Sequence, residues 1–378
     1  MNFEPSELQS AISDTLYKFL QDKYEFQTRV RRTNAKAWVD DLWCELAELG
    51  VLSVSMDEEV GGLGGGFEEL AAVMRIFGRW IVNEPFLSSI IIGSGILKRS
   101  PAPVAGVVLA KITRGEVRVS LAHAETAQIS DLLDFRAEAT SDGAAYVLNG
   151  RKVLVLDAPL AEYFIVSAHL CDNDGAEGQD ALFLVSRSAT GITQTDYRTI
   201  DGGHMSDIVF TNVSLTADTL LISGNAVGDT LLRVQDEAIL AICAEACGVM
   251  AAMLEMTVDY TRQRHQFGRA IADNQVIQHR LVDMMIGVKQ ATSMTNVACR
   301  MLESPDRQSI VAATKAFISK ASRSVGQSAV QLHGGIGITN DVAVSHYFRR
   351  ALMIEQQFGS SEEQLERYLE LSQQMRSA

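Results

Sequence analysis

The stretch Gln331-Leu332-His333-Gly334-Gly335-Ile336-Gly337 closes an amphipathic run over residues 309–333, and a second run follows at once over 341–372. Two more runs lie upstream, from Asp229 through about Arg262 and over 275–302, each with apolar residues at helical spacing. Four long amphipathic helices with short connections predict a C-terminal four-helix bundle over 226–378. Before it, short alternating or β-branched runs at 117–122, 145–148, 152–156, 163–167, 181–185 and 208–210 are separated by Asp-Gly and Asn-Gly turn signals. They predict a middle antiparallel β domain over 118–225. Residues 1–117 read as an N-terminal helical domain. There Ser6 and Gln9 form a capping-box pattern ahead of Leu8, Ile12, Leu16, Phe19 and Leu20 at helical spacing. The expected fold class is α+β. The glycine-rich stretch from Glu58 to Gly66 has no Lys-Ser/Thr after its glycines and follows no strand, so it predicts a turn between helices rather than a phosphate loop.

Composition excludes several functions. With 378 residues, 47% of them hydrophobic and 21% charged, the chain can bury a large core in two or three domains. A formal charge of −14 and the lack of a basic arm argue against nucleic acid and membrane surfaces as partners. The five cysteines, Cys44, Cys171, Cys243, Cys247 and Cys299, are scattered without a C-x-x-C spacing. Neither a charged-then-apolar leader nor a long apolar span is read, so the expectation is a cytoplasmic chain with reduced thiols. Cys243 and Cys247 lie one helical turn apart with no His or second pair facing them. They are read as buried small side chains, and no metal site is expected.

Arg264-His265-Gln266-Phe267-Gly268 and Gln331-Leu332-His333-Gly334-Gly335, in that order, resemble the flavin-binding signatures of the acyl-CoA dehydrogenase family, and the likeness runs over nearly the whole chain. The order of helices, β domain and bundle is similar too. The resemblance implies FAD as cofactor and α,β-dehydrogenation of an acyl-CoA thioester, with an electron-transfer flavoprotein as electron acceptor. In that family a neighbouring subunit's bundle holds the ADP part of the cofactor. By resemblance, the residues that would do so are Arg264, Phe267, Gln275, Gln331, Gly334 and Gly335. Arg264 offers charge to a pyrophosphate, and the two glycines offer close backbone approach.

The other half of the expected site is altered. The family's ring-contacting segments correspond to 124–131 and to Lys152-Val153-Leu154-Val155-Leu156. Leu154 stands where an indole is usual and Leu156 where a hydroxyl is usual, so neither can stack on or hydrogen-bond to a flavin ring. The usual base position is Phe358, followed by Gly359 and Ser360. An alternative base position on the first bundle helix falls on or beside Ala238, with Glu237 adjacent, and the family's CoA-contacting arginine aligns close to Ile239. Glu245 has Ala241, Ile242, Gly248 and Val249 on its helical face and is a candidate base, or else a buried structural acid. Glu125 and Asp131 are further candidate carboxylates. His333 and the methionines at 250, 253, 256, 284 and 285 are read as packing residues.

The trans half of a flavin site is thus retained while the ring half and base are not. This pattern resembles the small subunits of heteromeric bacterial acyl-CoA dehydrogenases, including that of pimeloyl-CoA dehydrogenase and the paired steroid-degrading enzymes. It implies a homologous larger subunit as partner in a heterotetramer and a bulky or dicarboxylic acyl group. A self-sufficient homo-oligomer using Glu245 or another unconventional base, and a non-catalytic scaffold, remain as alternatives.

Overall fold

The computed structural model describes residues 4–34, 40–126, 132, 134–141, 145–172 and 178–377. Its helices and strands run, in chain order, as α1 (Glu7–Lys23), α2 (Phe26–Asn34), α3 (Asp41–Glu48), α4 (Phe67–Trp80), a π-helical segment (Leu87–Gly93) leading into α5 (Ser94–Leu97), and α6 (Pro103–Thr113). The strands follow: β1 (Val119–Ala122), β2 (Glu138–Ser141), β3 (Ala145–Leu156), β4 (Tyr163–Asp172), β5 (Gln179–Ser186), β6 (Ile192–Arg198), β7 (His204–Thr216) and β8 (Leu220–Ser223). Last come α7 (Ala226–Gln263), the two-residue strands β9 (His265–Gln266) and β10 (Arg269–Ala270), then α8 (Gln275–Arg300), α9 (Arg307–His333), α10 (Ala343–Gln356) and α11 (Ser361–Ser377). The chain forms two compact units, one of Met1–Asn34, Gly66–Val82 and Ile239–Ala378, the other of Ala35–Gly65 and Asn83–Ala238.

The second unit is built on an eight-stranded sheet ordered β6-β7-β3-β2-β4-β5-β8, with β1 also paired to β4. Most pairs are antiparallel, but β1 and β2 both run parallel to β4. The core on one face gathers Phe164, Val166, Phe183, Val185, Ile208 and Phe210. On β5 the intervening Leu182 and Leu184 are buried as well. A strand covered on both faces needs no polar alternation, which is why this one reads as a continuous apolar run. Strand β3 carries two irregularities, the second between Lys152 and Val155, where Leu154 adopts φ +54.

Helices α3 and α4 are linked through the glycine-rich turn. Gly61 and Gly64 sit at positive φ, and a Cβ at Gly62 would lie 1.9 Å from the Met56 carbonyl oxygen. That turn is what the spacing of its glycines predicts.

In the first unit the capping box forms as written. The Gln9 amide donates to Ser6 Oγ at 3.0 Å, and the Ser6 amide donates to Gln9 Oε1 at 3.0 Å. Ser6→Ala is expected to cost about 1 kcal/mol of stability, read as a lower urea midpoint at constant slope.

Helix α4 meets α7 backbone to backbone. A Cβ at Gly78 would lie 2.0 Å from the Glu245 carbonyl oxygen, and one at Gly248 would lie 1.9 Å from the Arg75 carbonyl oxygen. Helix α7 is long and apolar enough to cross a membrane by length and composition alone, yet 78% of its most apolar window is buried. Residues 238–250 are buried without a break. The expectation of no long apolar span is corrected by this helix, whose burial marks it as a core element.

Candidate functional site

The two glycine-bearing motifs meet at one end of the first unit. Helix α7 ends just before Arg264, and α9 ends at His333. Tyr260 on α7 stacks on the His333 ring, with centroids 4.4 Å apart and planes 22° apart, so the helix ends are tied together. His333 is buried, with Nδ1 2.8 Å from the Ala329 carbonyl oxygen, and burial lowers its pKa. It packs the helix ends together and does not face solvent.

After α7 the chain turns through β9 and β10, where Gln266 pairs with Arg269 across Phe267-Gly268. Both turn residues have positive φ, +56 and +81. A two-residue hairpin of this hand matches strand twist, but its first position ordinarily takes Asn, Asp or Gly. Phe267 occupies it instead, at a strain of order 1–2 kcal/mol, with its side chain 100% exposed. Arg264, Gln275, Gln331, Gly334 and Gly335 are exposed too. Gly334 has φ +68, and a Cβ at Gly334 or Gly335 would meet nothing within 4 Å. Among the described residues nothing fills the space beside them. The Arg264 charge, the Phe267 ring and an uncovered glycine backbone together suit a diphosphate and its attached nucleoside.

The ring-side positions differ. Leu154 is 41% exposed and presents only a backbone amide, 3.4 Å from Asp207 Oδ1. Residues 127–131, including Asp131, lie outside the described residues. Beneath β3, Lys152 is fully buried and donates to Glu125 Oε1 at 2.7 Å, Ser167 Oγ at 3.0 Å and the His123 carbonyl at 3.1 Å. Burial pushes the Lys152 ammonium down to about 8, while Glu125 supports its charge. Glu125 also accepts from the backbone amides of Arg136 and Ala137, at 2.7 and 2.8 Å. Burial opposes its ionised form, yet Lys152 and these amides hold its carboxyl below the usual range. Such a carboxylate anchors the strand and is a poor proton acceptor.

The remaining acids are engaged as well. Glu245 is 2% exposed, and Arg350 grips both its oxygens, Nε to Oε1 at 2.6 Å and Nη2 to Oε2 at 2.7 Å. Glu237 lies between Arg99 and Arg233, with Oε1 2.6 Å from Arg99 Nη2 and 2.9 Å from Arg233 Nε. Phe358 follows α10 with φ +58, and its carbonyl accepts from Gln364. Beside it, buried Lys315 donates to the carbonyls of Ile354, Glu355 and Gly359, closing the end of α10. The nearby Glu355 is paired with Arg323 through both oxygens at 2.9 Å. Sequence reading did not single out Arg350, Lys315 or Lys152, because each is defined by partners distant along the chain. All five cysteines are free, and no group of three potential metal ligands occurs among the described residues.

The chain belongs to the acyl-CoA dehydrogenase family: residues 6–116, 120–213 and 236–370 match the N-terminal, middle and C-terminal domains of acyl-CoA dehydrogenase. Membership makes it an oxidoreductase of CH–CH bonds with FAD as cofactor. Among its relatives, acyl-CoA dehydrogenase FadE27 of Mycobacterium tuberculosis is 28% identical over 338 residues, covering 86% of each chain. The mitochondrial isovaleryl-CoA dehydrogenase of Arabidopsis thaliana is 26% identical over 95% of this chain and 89% of its own. Among solved structures, a chain of the ChsE4-ChsE5 complex from Mycobacterium tuberculosis superposes with a TM-score of 0.85 at 25% identity, over 97% of both chains.

Proposed function

We propose that this chain is one subunit of a two-chain acyl-CoA dehydrogenase, supplying the ADP-binding half of a shared FAD site while a larger homologous partner supplies the ring-binding half and the base. The observation that carries this reading is Phe267, a fully exposed aromatic ring held in a left-handed turn, beside exposed Arg264, Gln331, Gly334 and Gly335. Strain at an exposed aromatic residue brings nothing to an isolated chain and is repaid once a cofactor and a second subunit cover it. The first half of α8 adds a stripe of exposed Val282, Met285 and Ile286, with Val276 nearby. An apolar stripe of this kind on a bundle helix suits burial against another subunit.

Arg264 and Gln331 would hold the pyrophosphate, Gly334 and Gly335 would let it approach the backbone, Phe267 would pack on the adenosine side, and Gln275 would serve from the start of α8. The bound FAD supplies hydride acceptance. Among the described residues at these positions none offers a free carboxylate: Phe358 has none, and Glu245, Glu237 and Glu125 are each held by cations. That supports assigning abstraction of the α-proton to the partner and disfavours a self-sufficient enzyme. The substrate in this reading is a bulky or dicarboxylic acyl-CoA, the electron acceptor an electron-transfer flavoprotein, and the compartment the cytoplasm.

The chain produced alone is expected to retain little FAD, and co-production with its partner to give about one flavin per pair of chains. Absorbance of the purified proteins decides it, and one flavin per chain in the isolated protein overturns the proposal. Within the assembled complex, Arg264→Ala is expected to weaken FAD at least about tenfold through loss of a charge-assisted contact. Unchanged flavin retention in titrations of that variant would remove Arg264 from the site.

A further inference from the structure

A cavity of about 210 Å³ opens at the start of α1, beside α4 and the C-terminal half of α8. Its walls include Gln9, Ser13, Glu68, Arg75, Asn296 and Arg300. Two guanidinium groups therefore share the space with one carboxylate, in a chain that is otherwise strongly acidic. Arg300 Nε donates to Glu68 Oε2 at 3.0 Å, and Arg75 gives one Nη hydrogen to the Asn296 side-chain carbonyl. Arg75 Nε is buried and has no hydrogen-bond partner among the described residues. A buried donor on a cation left unsatisfied is costly, and such a group ordinarily has an acceptor in its working state.

The strain cannot be relieved by moving the helix. The Arg75 carbonyl oxygen lies at the α4–α7 crossing, where a Cβ on Gly248 would come within 1.9 Å of it, so the backbone at Arg75 is pinned. Around the arginines stand neutral donors. The Gln9 carbonyl is engaged by the Ser6 amide in the capping box, which leaves its NH₂ group to donate, and Ser13 adds a hydroxyl. The volume lies below the roughly 300 Å³ at which sites for drug-sized ligands begin, so a large molecule does not fit within it.

We propose that this cavity binds a small oxyanion, a carboxylate or phosphate group, with Arg75 as the principal donor and Arg300 supporting it. Bound there, the anion accepts from the guanidinium groups that line the cavity and bridges α1, α4 and α8. Calorimetric titration of the full-length chain with inorganic phosphate and, separately, with succinate at fixed ionic strength tests this. Saturable one-site binding of at least one probe is expected, with a matching rise in melting temperature, and the stronger probe distinguishes phosphate from carboxylate recognition. Arg75→Gln is expected to weaken binding at least about tenfold. Ser13→Phe, which fills the cavity from α1 and leaves both arginines in place, is expected to abolish binding and covers the case in which the Arg75 variant fails to fold. The proposal is overturned if neither probe saturates the wild-type chain, or if either variant binds as the wild type does.

Discussion

Replacing Arg350 with Leu is expected to destabilise the protein by about 3–5 kcal/mol, because it leaves the Glu245 carboxylate buried without a counter-charge. The pair is bidentate, with Glu245 2% exposed, so water cannot take the place of the lost guanidinium. Glu245→Gln separates the structural role from the catalytic one. It keeps the shape and one acceptor while removing the charge, so stability is expected to fall by about 1–3 kcal/mol while turnover of the assembled enzyme stays near its original rate. Were Glu245 the base, the same change would lower turnover by about 10²–10⁴ with flavin still bound. Anaerobic mixing with acyl-CoA reads the difference directly: a flavin-replete Glu245→Gln enzyme that binds substrate without bleaching would make Glu245 the base.

Acid is expected to weaken the β-sheet unit through His123, well above the pH at which its carboxylates titrate. Burial, with Lys152 nearby adding repulsion, pushes the His123 imidazole down to about 4 from the ordinary 6.5, against a smaller opposing pull from Glu125. Between those values the unfolded chain takes up a proton that the folded chain refuses. The stability is therefore fully present above about pH 6.5 and is lost as pH falls toward 4, up to about 3 kcal/mol from this group alone. His204, also pushed by burial down to about 4, adds to the same slope. Urea midpoints at pH 7 and pH 4.5 check this, and His123→Gln is expected to flatten part of the dependence. A midpoint independent of pH over that interval would show that His123 is charged in the folded protein.

Much of this fold was legible because its signals are local. Ser6 and Gln9 lie within one helical turn of each other, the Gly61–Gly64 turn is written in consecutive residues, and the bundle helices carry their own periodicity. The residues proposed to hold the ADP part can be named from sequence for the same reason, since each motif occupies a few adjacent positions. What escaped depends on partners far along the chain. The parallel pairing of β1 and β2 with β4 is a choice between neighbours that alternation cannot express. The π-helical segment at Leu87–Gly93 lies in a run of buried residues, and a pattern apolar on every side carries no phase from which to read its winding. For Glu245 the sequence favours a buried, paired acid over a base but cannot name the partner, because Arg350 lies 105 residues away. The Arg75 and Asn296 pair at the cavity is separated by 221 residues and left no trace in either local pattern.

The contact of α4 with α7 at Gly78 and Gly248 also limits how this sequence can change over generations. Core positions lined by Ile, Ala or Cys can trade volume with their neighbours through compensating pairs of substitutions. At this crossing no side chain stands between the helices to be trimmed, and each glycine faces a backbone carbonyl that no mutation can shorten. Neither position therefore has a compensating partner. A deep mutational library of the chain will show these two sites refusing every replacement, while the apolar residues around them accept volume-conserving apolar swaps.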